Sequence, residues 1–241
     1  MNFNTLGQPI GDAVPGWSPP ARPRREPIAG RYCRVEPLDA DRHAADLHAA
    51  NAHDAEGGMW TYLAYGPFGT ADAYAGWARR AAATDDPLFY AIVDLTTGRA
   101  HGVASFLRCD PSAGSIEVGH IAYSPLLQRT PAATESMYLM MRYVFGLGYR
   151  RYEWKCDALN APSRAAAQRL GFSYEGIFRQ ATVYKDRNRD TAWFAAIDAE
   201  WPALDRAFQQ WLDPENFDQA GRQRLSLRAL TRPILVRLDA S

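Results

Sequence analysis

Residues Ser115 to Phe172 constrain the fold more than any other stretch, because strand and helix signals alternate in it without a break. Ile116 to Tyr123 mixes apolar and β-prone residues and ends at Ser124-Pro125, the pattern of a strand. Leu126 to Thr130 is a short loop. Pro131 suits a first helical turn, where its missing N–H would have no intrahelical partner, and it opens an apolar-rich run, Ala132 to Leu147, that suits a mostly buried helix. Gly146 and Gly148 stop that helix, and Tyr149 to Asp157 reads as a second strand. Asn160 reads as an N-cap, Ala161 to Leu170 as a short Ala-rich helix, and Gly171 as its stop. The order is that of a βαβ unit whose first crossover ends in a helix N-terminus. Free N–H groups and the helix dipole favour an anion there.

These residues resemble two motifs of the GCN5-related N-acetyltransferases (GNAT). The family's pyrophosphate loop, Gln/Arg-x-x-Gly-x-Gly/Ala, is matched by Gln128-Arg129-Thr130-Pro131-Ala132-Ala133, followed by Thr134-Glu135. Asn160-x-x-Ser163 before Leu170-Gly171-Phe172 resembles the second motif, most closely in the branch that contains the ribosomal-protein alanine acetyltransferases. Two departures stand out. Pro131 replaces the central glycine of the loop, and no carboxylate stands near Ala181-Thr182, where that branch carries an acidic residue.

The resemblance covers about Gly30 to Trp201 and implies an α/β (α+β) GNAT fold. Such a fold has a central, mixed but mostly antiparallel twisted sheet of about seven strands flanked by helices. It divides the chain into an extended N-terminal arm (1–29), the acyltransferase domain (30–201) and a C-terminal helix and tail (202–241). The implied activity is acyl-CoA-dependent N-acyl transfer, with acetyl-CoA or another acyl-CoA as co-substrate and no metal. A primary amine of a small molecule or of a protein or peptide N-terminus attacks the thioester directly. The alternative is a non-catalytic module that binds acyl-CoA or a partner through the same scaffold.

By resemblance, the co-substrate meets the strand backbone at Ile121, Ala122 and Tyr123, and the amides of Arg129, Thr130, Ala132 and Ala133, with Gln128, Thr134 and Asn160 nearby. The hydroxyls of Thr130 and Thr134 are further contacts. Ser163 falls where a hydroxyl can protonate the leaving thiolate. The free amine needs a base near neutral pH, and the candidates are Glu117 and His120. Strand alternation puts these two on opposite faces unless a bulge intervenes. Trp60, Tyr62, Tyr65 and Phe68, in the aromatic stretch 57–68, either line the amine pocket or plug the sheet. Cys156 lacks a matched histidine and reads as a core residue. His43, His48 and His53 recur every five residues, about 140° apart on a helix, and cannot share a metal.

Composition narrows the classes. The 27 Lys and Arg balance the 27 Asp and Glu, so no overall field favours nucleic acid or an anionic membrane. No secretory pattern opens the chain and no apolar run approaches the ~20 residues of a membrane span. Three scattered cysteines fit a reducing cytoplasm. The arm is rich in Pro and Gly and carries a solvated RPRR at 22–25. Elsewhere the pattern gives a strand from Gly30 to Leu38, helices after Asp39 and Thr70, strands at 88–94 and 100–108, a long closing hairpin from Phe172 to Ile197, and a helix from Pro202 to Leu212. The spaced arginines after Asp213 read as a solvated face or a contact with a second subunit, which leaves a homodimer open.

Overall fold

The computed structural model describes residues 1–239; the last two residues of the expected tail lie outside the described part. A small hairpin, β1 (Asn2–Phe3) with β2 (Pro9–Ile10), precedes β3 (Ile28–Ala29) and β4 (Cys33–Pro37). Helices α1 (Ala40–Asn51) and α2 (Ala71–Ala82) follow, then β5 (Leu88–Asp94), β6 (Ala100–Asp110) and β7 (Ser115–Tyr123). The remainder is α3 (Pro131–Gly146), β8 (Arg151–Asp157), α4 (Ala161–Arg169), β9 (Ser173–Tyr184), β10 (Arg187–Ile197), α5 (Trp201–Leu212) and α6 (Leu227–Thr231).

One sheet holds eight strands in the order β3-β4-β5-β6-β7-β8-β10-β9. Every neighbouring pair is antiparallel except β7 and β8, which α3 joins as a parallel crossover. The eighth strand is the two-residue β3, too short to show alternation in the sequence. β5 is apolar on both faces, as a strand covered by helices on both sides must be. One face buries Tyr90, Phe106, Ile116, Tyr152 and Phe194 with Met137 and Met140 of α3 and Leu204 and Phe208 of α5. The other buries Phe89, Val93 and Val103 with Leu47 of α1 and Tyr74 and Trp77 of α2.

Side-chain caps fix the helix starts. Asp39 accepts from the amides of Asp41 and Arg42, Thr70 from Ala73, Thr130 from Ala133 and Asn160 from Ser163. Gly171 ends α4 at φ +90° and lies so close to Leu204 that a Cβ there would collide with it.

Three expectations change. The strand expected from Gly30 begins at Cys33, because Gly30 to Tyr32 turn around the buried carboxylate of Glu135. That carboxylate accepts from the amides of Arg31 (2.8 Å), Tyr32 (2.6 Å) and Cys33 (2.9 Å). The arm is extended but tied down: Tyr90 donates to the Arg24 carbonyl, the Arg24 amide donates to Tyr143, and Arg25 pairs with Asp85. In the tail, most arginines are exposed, yet the backbone between them folds back onto α4. There Asp239 forms a two-point ion pair with Arg164, and Thr231 donates to the Arg169 carbonyl.

Candidate active site

The parallel pairing of β7 and β8 runs only from Ser115–Arg151 to Val118–Trp154. Beyond it, β7 continues to Tyr123 along β6, and β8 continues to Asp157 along β10. The two strands have parted. A β-bulge accompanies the split: Gly119 faces Ser105 and Ala122 faces Val103, so β7 spends one residue more than β6, and His120 sits at φ +50°. The V left between the strands exposes backbone of Ile121 to Tyr123 that no β8 residue pairs. β7 feeds α3 and β8 feeds α4, so both helix N-termini open onto the same mouth.

At the α3 start, Thr130 does not offer its hydroxyl outward. It donates to the Leu127 carbonyl and accepts from the Ala133 amide, while the Thr130 amide bonds Leu127. Gln128 is likewise turned inward, its side chain donating to the Tyr123 carbonyl. Among the described residues, the amides of Arg129 and Ala132 meet no acceptor. Arg129 is in the left-handed region at φ +63°. Thr134 is buried and accepts from Arg169, a residue that the sequence pattern did not single out. Arg169 has no carboxylate partner among the described residues, and burial lowers its pKa. The loop therefore offers two free amides and one unpaired guanidinium beside a helix N-terminus, a donor set that fits a pyrophosphate or phosphate.

At the α4 start, Asn160 caps the helix through its side-chain oxygen. The Ser163 hydroxyl accepts from the Trp154 indole at 3.0 Å, and its own proton is within reach of the Cys156 sulfur. Trp154 also escaped the sequence reading, since only the fold brings a β8 indole beneath α4. Cys156 is buried, and burial raises its pKa, as suits a core thiol.

On the opposite face of the sheet the bulge overturns the strand alternation and puts Glu117 and His120 on one side. Glu117 is buried and held by Arg108, at 2.8 Å to each oxygen, and by Lys155 at 3.0 Å. Burial keeps its carboxyl above the ordinary range even so. Its lone pairs are committed, which weakens it as a base. His120 stacks on Tyr65 (ring centroids 5.7 Å apart) and lies 5.1 Å from Phe89. Burial, then the fields of Arg108 and Arg189, lower its pKa to about 4, so the imidazole is neutral at physiological pH. Lys155 stands 3.7 Å over the Trp193 ring, and Trp193 stacks on Phe178. Finding these cross-strand neighbours requires the register, which single-strand patterns do not contain.

The aromatic stretch is divided between the buried plug and the His120 side of the sheet. Trp60 and Phe68 pack with Tyr74 and Trp77 as part of the plug between α1, α2 and the sheet. Tyr65 reaches from that cluster over His120, and its buried hydroxyl has no partner. Tyr62 donates to the Leu159 carbonyl just before α4, and Lys185, at the tip of the β9–β10 hairpin, donates to the Trp60 carbonyl. Loop and hairpin thus meet across the far side of the cleft. A cavity of about 760 Å³ lies elsewhere, beside the start of α1, and its arginines are already paired with carboxylates. Among the described residues no group of His, Cys, Asp or Glu is arranged to hold a metal, and no helix is long and apolar enough to cross a membrane.

The sequence profile of the acetyltransferase (GNAT) domain matches residues 34–173. A GCN5-related N-acetyltransferase from Brucella melitensis is 48% identical, with a TM-score of 0.89, over 91% of this chain and 100% of that one. A GNAT-family protein from Chromobacterium violaceum is 40% identical, with a TM-score of 0.75, over 81% of this chain and 98% of that one. The Salmonella typhimurium acetyl transferase that modifies the N-terminal serine of ribosomal protein L7/L12 is 20% identical at a TM-score of 0.61, over 71% of this chain and 99% of that one, a likeness of fold alone. No curated protein matches the chain.

Proposed function

The chain belongs to the GNAT family and is an acyl-CoA-dependent N-acetyltransferase; from that premise we propose that its amine acceptor is a primary amine of a small molecule or of a protein N-terminus. The carrying observation is the parted β7–β8 pair with both helix starts at its mouth and His120 behind it. A cytoplasmic setting suits such a reaction, since acetyl-CoA is the family's co-substrate.

Each residue takes a role in this proposal. The open backbone of Ile121 to Tyr123 lies along the acyl–pantetheine end and offers an N–H to the thioester carbonyl. The amides of Arg129 and Ala132, with Arg169, hold the phosphates. Thr130, Ala133, Gln128 and Thr134 keep that loop in shape, and Asn160 orders the α4 start beside the pantetheine arm. The amine nitrogen forms the new C–N bond as the C–S bond breaks. The departing thiolate takes the proton of Ser163, the amine gives one proton to water near His120, and Ser163 takes a proton back from solvent. Glu117 anchors Lys155 and Arg108 rather than abstracting that proton, because its oxygens are already occupied. Tyr62 and Tyr65 border the amine, with Trp60 and Phe68 behind them. Pro131 costs the loop one donor, and Arg169 supplies a charge in its place.

The test is CoA release from acetyl-CoA with a panel of amines, run beside thermal unfolding with acetyl-CoA, CoA and NAD. Release with at least one primary amine, and a midpoint shift with CoA species alone, is the expected result. A shift without release from any amine would favour the non-catalytic binding module.

A further inference from the structure

Arg189 is a cation without an anion. Arg108 is answered by Glu117 and Arg164 by Asp239, while Arg169, on the other side at the phosphate loop, donates to Thr134. Among the described residues Arg189 makes no ion pair and no side-chain hydrogen bond, and its Nε is buried without a partner. Its contact is with the Tyr184 ring, 5.5 Å from the guanidinium carbon. Thr182, opposite it in β9, is neutral. Nearby Asp157 is spent on the Leu159 amide and the Tyr184 hydroxyl, both at 2.9 Å. Asp190 takes the Gln180 amide and the Asn188 side chain.

The place is informative. Arg189 lies two residues before Thr191, the partner of Asp157 at the end of β8, and so just past the open end of the V. It shares a face of β10 with Thr191 and Trp193, and the Trp193 ring lies against Lys155, which binds Glu117. Two further buried donors, the Trp193 indole N–H and the Tyr65 hydroxyl above His120, are also unpartnered. A partly buried guanidinium beside unmet donors is costly alone and strongly favourable around a carboxylate, which it binds at two points.

We propose that Arg189 binds a carboxylate carried by one of the two substrates. That carboxylate is either the far end of a dicarboxylic acyl group, as in succinyl-CoA, or the carboxylate of an amino-acid acceptor. The proposal rests on the reading that the reacting atoms meet at the cleft beside His120. The unpartnered Trp193 N–H and Tyr65 O–H are further donors on the His120 side of the sheet.

Two arms separate the sources. In the donor arm, succinyl-CoA is compared with acetyl-CoA against one amine. In the acceptor arm, tyrosine is compared with tyramine at a fixed donor. Each arm is read by CoA release and by calorimetric titration, the acceptor titrated with CoA bound. The expected result is at least a tenfold preference for the carboxylate-bearing substrate in one arm. Arg189→Gln should reduce that ratio to near one, and Arg189→Lys should restore part of it, with the unfolding midpoint of each variant confirming that it folds. Ratios are used because a merely structural role would lower both members of a pair together. A binding preference that depends on Arg189 without any turnover would sink the catalytic reading and uphold this one. Equal affinities and rates in both arms, or a preference that survives Arg189→Gln, would overturn it.

Discussion

Ser163 and His120 differ in how their surroundings set their chemistry. The Ser163 oxygen accepts the Trp154 indole N–H, so rotation of the hydroxyl is restricted and its proton points away from that donor. Ser163→Ala removes the proton and leaves the Asn160 cap on the residue-163 amide in place. It should lower kcat about a hundredfold, the low end for acid–base assistance, with acetyl-CoA affinity within about twofold; equal kcat values would remove Ser163 from the mechanism. For His120 the sign follows from protons bound. Folded, it titrates near 4; unfolded, near its ordinary 6.5. The unfolded chain binds the extra proton between these values, so stability is full above 6.5 and is lost as pH falls toward 4. The loss is on the order of 2 kcal/mol, allowing for partial exposure. Asparagine tolerates the left-handed backbone of this position. Urea midpoints at pH 7 and 4.5 should therefore fall further apart in the wild type than in His120→Asn, and identical differences would contradict the burial of a neutral imidazole.

Among the elements, α3 is the one that joins cofactor loop, sheet and strand edge. Its first turn presents amides to the cleft while Glu135, one residue further on, holds the Gly30–Tyr32 turn by three amides. Gly30 has no side chain to spare, since a Cβ there would strike that carboxylate. Glu135→Ala should leave three amides without their buried acceptor and cost roughly 3 kcal/mol, with β4 edge amides exchanging faster in hydrogen-exchange measurements; unchanged exchange there would show that the turn stands without α3. The starts and stops of α1 to α4 were legible in the sequence, because caps, Pro131 and glycine stops are local chemistry. Motif spacing likewise marked Thr130 and Asn160 as the starts of α3 and α4. What was hidden depends on contacts distant in sequence. The bulge that turns His120 toward Glu117 shows only against β6. Arg169 reaches Thr134, and Trp154 reaches Ser163, only once α4 lies across the parallel pair.

At the scale of the molecule, two chain ends act as straps on the parts that must not move. The arm crosses β5, β6 and α3 through Tyr90, Cys109 and Tyr143. The tail fastens α4, the helix that carries Ser163 and ends in Arg169. Its holds are the Arg164–Asp239 pair, the Asp239 amide on Gln168, the Val236 amide on Ser173 and the Thr231 hydroxyl on the Arg169 carbonyl. A helix of nine residues is marginal by itself, so packing has to set its position, and with it the positions of the hydroxyl and guanidinium it supplies. Removing residues 226–241 should then weaken acetyl-CoA binding about tenfold, a loss of roughly 1.4 kcal/mol, because part of the binding energy would go into ordering α4. Arg164→Gln, which cuts one ion pair and leaves the rest of the tail, should move affinity the same way by a smaller amount while the chain stays folded. Calorimetric titration of acetyl-CoA reads both. If the shortened chain and the point variant bind as tightly as the full chain, the helix is held by the sheet alone and the tail has no part in preparing the site. If affinity falls in both while the unfolding midpoint of Arg164→Gln barely changes, the strap acts on the geometry of α4 rather than on overall stability.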